Sequence, residues 1–283
     1  MHLPERIRVA LSITLLSTVA LEIAFADGVV IGMGAEGDTV DGRAYTFFAD
    51  VSLTDSTWIS GAVALNETTN EVFELETKFA DISLDHFFDP FGIRLGGSYW
   101  GDESFLESKD VHASLYLRGE KGTLSADFER RNFDLTIRLD TLAEARSIDF
   151  SAKGYGLTGR LKTSNRTSVY LGGMTYDYSR RIGLQPETDR LRFLAVSRIS
   201  LMNSLIDYRV SGGIEIEFGE RRLDFRYSHW KTAVFRGKVD SLGVGWLTPV
   251  GNAADIEFRL ALDDSDEFGQ ATVFSVFLYL YDE

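Results

Sequence analysis

Hydrophobic and polar residues alternate without interruption over Ile206-Asp-Tyr-Arg-Val-Ser-Gly-Gly-Ile-Glu-Ile-Glu-Phe218. One parity carries Ile206, Tyr208, Val210, Ile214, Ile216 and Phe218; the other carries Asp207, Arg209, Ser211, Glu215 and Glu217. Period two predicts a β-strand, because successive side chains leave opposite faces. Soluble strands usually run about 5–6 residues, whereas a tilted strand crossing a bilayer needs about 9–11. The same alternation recurs in Ala254-Asp-Ile-Glu-Phe-Arg-Leu-Ala-Leu262 and in Val111-His-Ala-Ser-Leu-Tyr-Leu117. Long strands with one apolar and one charged face predict an all-β fold, an antiparallel transmembrane β-barrel.

Reading the alternation along the chain predicts strands at 28–36, 42–54, 57–67, 72–86, 91–101, 110–118, 121–137, 147–163, 166–180, 205–218, 221–234, 239–248, 254–263 and 270–281, about 14 in all. Tight connections such as Asp89-Pro-Phe-Gly92, Gly119-Glu-Lys-Gly122 and Gly219-Glu-Arg-Arg222 carry turn-forming residues. Longer, more acidic ones fall at Asp102–Asp110, Leu139–Arg146, Ile182–Asp189 and Asp263–Gly269. The two kinds alternate in step, matching short periplasmic turns and longer external loops. Leu191–Leu205 breaks the pattern, because Leu191, Ala195, Ile199, Met202 and Ile206 follow helical spacing after Pro186 and Asp189. It predicts a short helix within a long external loop. In Ile148–Leu161 the apolar set shifts from 148/150/152 to 155/157/161 around Gly154, which predicts a β-bulge there.

Residues 1–26 read as a signal peptide, with Arg6 and Arg8, an apolar Val9–Val19 core and an Ala24-Phe-Ala26 cleavage site, leaving the barrel as 27–283. No later run of about 18 apolar residues predicts a spanning helix. The mean hydropathy of -0.07 fits half-polar barrel strands. The absence of cysteine excludes disulfides and thiolate chemistry, and a net charge of -14 argues against a nucleic-acid partner.

In such a barrel the polar parity faces the lumen. The predicted pore-lining set is Arg209, Glu215 and Glu217; Arg222, Asp224 and Arg226; and Asp255, Glu257 and Arg259. Earlier strands add Asp50, Asp81, Asp85, Arg94, His112, Arg118, Asp127, Glu129, Asp149, Lys153 and Asp177. With Asp207 counted, the C-terminal set has six acids against four bases, which predicts a modest cation preference. Catalytic residues are not expected. His86, His112 and His229 stand in ordinary strand contexts, with Ser114 two residues after His112. No metalloprotease, P-loop or dinucleotide fingerprint occurs, so no metal or cofactor is expected.

The closing stretch Thr272-Val-Phe-Ser-Val-Phe-Leu-Tyr-Leu-Tyr281 resembles the terminal strand of Gram-negative outer-membrane proteins, with Phe277, Tyr279 and Tyr281 matching its alternate aromatics. It departs by ending in Asp282-Glu283. The resemblance implies an outer-membrane location, a lipid environment and recognition by the barrel-assembly machinery during biogenesis. The expectation that follows is a monomeric porin-like channel for small hydrophilic solutes. The alternative is a closed-lumen envelope structural or interaction protein acting through its external loops.

Overall fold

The computed structural model describes residues 28–69, 74–102, 106–137, 146–180, 205–233, 237–266 and 269–282. The predicted signal peptide and, apart from Leu205, the predicted loop helix lie outside them. The described residues form fourteen strands. These are β1 (Val29–Asp38), β2 (Gly42–Thr54), β3 (Thr57–Thr69), β4 (Glu74–Phe88), β5 (Phe91–Asp102), β6 (Leu106–Gly119), β7 (Gly122–Ile137), β8 (Arg146–Lys162), β9 (Thr167–Tyr178), β10 (Ile206–Phe218), β11 (Arg221–Thr232), β12 (Lys238–Pro249), β13 (Ala254–Ser265) and β14 (Gly269–Tyr281). Each pairs antiparallel with its sequence neighbours, and β1 pairs with β14, so the sheet closes on itself. Closure leaves no open edge, which is what lets a sheet satisfy its backbone hydrogen bonds in a bilayer.

The outward face is an apolar belt. Val210 and Ile214 on β10, Phe225 and Tyr227 on β11, and Leu242 and Val244 on β12 are exposed. Phe258, Leu260 and Leu262 on β13 continue the band, with Val244 opposite both Phe225 and Leu260. Exposed apolar surface on this scale belongs against hydrocarbon, not water.

The expected bulge at Gly154 is not there. The β7–β8 and β8–β9 registers pass through Gly154 without a shift. Instead the apolar residues of β8 change face. Tyr155, Leu157 and Leu161 are exposed outward, whereas Phe150 and Ala152 point inward and are buried. The latter join Trp100, Phe133, Leu135, Leu205, Trp230 and Val239 in an apolar cluster. All these positions lie at the ends of their strands nearest the longer connections, so the cluster occupies the lumen at that end. Asp149, Lys153 and Asp177 consequently face outward, with Lys153 opposite Asp177, and do not line the lumen.

A bulge does occur between Ile206 and Tyr208 of β10. It turns Ile206 inward, into the cluster. It also removes Asp207 from the predicted lumen set, because Lys231 Nζ on the outward parity of β11 donates to its carboxylate at 2.7 Å.

Candidate functional site

The nine residues predicted from β10, β11 and β13 all project into the lumen, but they do not form one cluster. Glu215 stands opposite Asp224, and Glu217 opposite Arg222. Like charges directly opposed are unfavourable across a strand pair, and each acid is met by an arginine. Arg226 Nη2 donates to Asp224 at 2.9 Å. Arg160 reaches from β8 to form an ion pair with Glu215. On β13, Arg259 grips Glu257 through Nε and Nη2, both at 2.8 Å. Asp255 accepts from the Tyr281 hydroxyl at 3.3 Å. Arg118, Arg209 and Arg222 have no ion-pair partner within 4.0 Å among the described residues.

One device recurs around the wall. A ring on one strand lies across a glycine on the next and reaches an acid two strands away. Tyr116 (β6) crosses Gly92 (β5) and donates to Asp85 (β4) at 2.6 Å. His112 (β6) crosses Gly96 (β5), with Nε2 2.9 Å from Asp81 (β4). Tyr176 (β9) crosses Gly154 (β8) and donates to Glu129 (β7) at 2.7 Å. Tyr170 (β9) crosses Gly213 (β10) and donates to Asp224 (β11) at 3.5 Å, while Arg226 Nε (β11) donates to its hydroxyl at 3.0 Å. At each of these glycines a Cβ would fall within 3.0 Å of the crossing side chain, so the absent side chain is what lets the ring lie against the wall. Gly154 is thus a close-approach position. The adjacent-strand version is Tyr279, whose hydroxyl donates to Glu257 at 2.6 Å.

Three acids of the lumen belong to an acid-x-Arg spacing: Glu129 with Arg131, Asp224 with Arg226, and Glu257 with Arg259. Residues two apart share a strand face, so the long arginine folds back on its own neighbour. That repeat is visible in the sequence and went unread, as did the tyrosines that complete it.

At the short-turn end the lumen holds a cavity of about 550 Å³, whose lining includes Asp50, Trp58, Asp85, Phe87, Arg94 and Arg118. The histidines do not assemble a nucleophile. Ser114 donates to Asp127 at 2.6 Å rather than meeting His112. His86 bonds Thr57 at 2.9 Å on the outward face. His229 lies between Tyr208 (3.1 Å) and Asp240 (2.9 Å), also outward.

No protein-family model and no curated protein matches this sequence. Solved structures do. The CymD monoaromatic hydrocarbon channel is 10% identical with a TM-score of 0.57, over 92% of this chain and 90% of that one. A Pseudomonas aeruginosa FadL homologue is 10% identical with a TM-score of 0.54, over 91% of each chain. OmpT of Vibrio cholerae, expressed in the outer membrane, is 9% identical with a TM-score of 0.51, over 90% of this chain and 97% of that one. At such identities the likeness is one of fold, and the fold is that of Gram-negative outer-membrane β-barrels.

Proposed function

We propose that this outer-membrane barrel is a monomeric channel for small hydrophilic solutes, narrowed near its outer mouth by the apolar cluster. The observation that carries this reading is the water-accessible, charge-lined inner half of the lumen, with its cavity of about 550 Å³. Barrels of about 8 strands fill with their own side chains, and those of about 16–18 leave an aqueous channel. Fourteen strands leave room for both behaviours in one molecule: a hydrated inner vestibule, and an outer zone where Phe133 and Phe150 stack at 4.7 Å. Hydrophobic constrictions of this kind gate by dewetting. The nine C-terminal residues would line the hydrated part.

The buried cluster also supports a second reading, in which the lumen is closed and the external loops do the work. Planar-bilayer conductance of the refolded protein separates the two. The channel reading expects conductance that rises in a Phe133→Ala, Phe150→Ala variant. Correctly folded protein that never conducts, in either form, favours the closed lumen.

A further inference from the structure

We propose that the surface a solute meets in the inner lumen is arginine, and that it contacts small organic anions, carboxylates above all; this rests on the channel reading. A formal count of charges points the other way, toward cations. The structure changes both the count and its meaning. Asp207 leaves the C-terminal set for Lys231, and Arg160 enters it through Glu215, so five acids stand against five bases (Glu215, Glu217, Asp224, Asp255 and Glu257; Arg160, Arg209, Arg222, Arg226 and Arg259).

Accessibility then divides the pairs. The side-chain exposures, arginine against acid, are 52% and 13% for Arg94–Asp85, and 47% and 13% for Arg160–Glu215. They are 35% and 9% for Arg226–Asp224, and 34% and 3% for Arg259–Glu257. In all four the carboxylate is withdrawn to the wall and the guanidinium faces water. Chain length and the neighbouring rings explain this. Asp85 and Glu257 are pinned from the side by Tyr116 and Tyr279, while the longer arginine folds over each acid. The contrast is Arg131, whose side chain is 8% exposed because it lies beneath the outer cluster.

The remaining geometry suits anion contact. Arg259 and Arg94 each spend the Nε edge and one Nη2 hydrogen on their acid, which leaves the other Nη hydrogens directed away from it. A planar guanidinium edge matches a carboxylate's two oxygens. Aromatic faces hold the heads in place: Arg259 lies 4.7 Å from the Phe277 ring centre, and Arg118 lies 5.0 Å from that of Phe87. Among the other inward acids, Asp127 accepts from Ser114, Ser125 and Thr158, whereas Asp50 and Glu217 have no ion-pair partner among the described residues. The negative charge of the whole chain acts at longer range, where salt screens it beyond about 8 Å.

The test is the reversal potential of the reconstituted protein across a potassium chloride gradient, followed by addition of succinate. A chloride-side reversal potential and a KCl current reduced by succinate are expected. Both should diminish in an Arg118→Gln, Arg222→Gln variant, which strands no carboxylate because neither arginine has an ion-pair partner among the described residues. A conducting barrel that reverses on the potassium side overturns the inference while leaving the channel reading intact. If the barrel does not conduct, the channel reading fails, and calorimetric titration of succinate into detergent-solubilised protein decides the arginine surface separately. Saturable binding lost in the double variant supports it, and no binding overturns it.

Discussion

The ring-over-glycine device makes a sharp prediction at Gly92. A Cβ built there would lie 2.0 Å from Cζ and 2.3 Å from the hydroxyl oxygen of Tyr116. The nearest obstacles all belong to that side chain, so Gly92→Ala should displace it without forcing the backbone apart. The displaced hydroxyl then loses Asp85, to which it donates at 2.6 Å. A hydrogen bond to a charged group contributes about 1.5–3 kcal/mol, and overpacking adds about 1–3 kcal/mol. Gly92→Ala should therefore destabilise the barrel by about 2.5–6 kcal/mol from these two terms. Tyr116→Phe alone should cost only the hydrogen-bond part, because Arg94 still holds Asp85 at 2.7 and 2.9 Å. In the Gly92→Ala background, Tyr116→Phe should cost almost nothing, since the bond it removes is already gone. Guanidinium unfolding from lipid vesicles, followed by tryptophan fluorescence, measures all four corners of this cycle. If Tyr116→Phe costs the same in both backgrounds within about 0.5 kcal/mol, the glycine does not position the ring and the reasoning fails.

Three further outcomes are expected. Phe258→Arg places a charge on the outward belt and should destabilise by about 2–4 kcal/mol near the bilayer midplane, measured by the same unfolding titration. Arg259→Ala strands Glu257, which is nearly inaccessible, and should cost about 2–3 kcal/mol, less than the ~3–5 of a fully buried pair; adding Glu257→Gln should recover most of it, and no recovery would place the loss in packing against Phe277. An epitope inserted between Thr69 and Glu74 should be labelled on intact cells, and one between Gly119 and Gly122 only after permeabilisation, so reversed labelling would invert the assigned orientation.

Strand number and facing were legible wherever one face stays apolar and the other polar along a whole strand. On β13 the alternation of Phe258, Arg259 and Leu260 follows directly from lipid on one side and water on the other. Legibility ended where the environment on a single face changes with depth. Along β8 the lumen is hydrated near Arg160 and apolar near Phe150. The inward parity therefore switches from polar to apolar while the backbone keeps its register. A hydrophobicity pattern cannot distinguish that switch from a bulge, because both move the apolar residues from one parity to the other. The distinction lies in the partner strands, since Phe133 on β7 stands opposite Phe150 and Tyr178 on β9 opposite Ala152, where β8 turns apolar inward.

The lumen site was less legible for a related reason. Each acid-x-Arg pair lies within one strand, and its spacing alone predicts that the two side chains meet. What decides its chemistry is the third member, a tyrosine one or two strands away. Its identity depends on register, as it does for the cross-strand pair Asp85–Arg94: Tyr116 reaches Asp85 only because Gly92 stands opposite Tyr116 and beside the row that holds Asp85. Counting charges treats Asp85 and Arg94 as equal contributions to the lumen, whereas the ring buries one and leaves the other in water. A count of composition weighs both partners of each pair equally, whereas what a solute touches is set by which partner the wall covers.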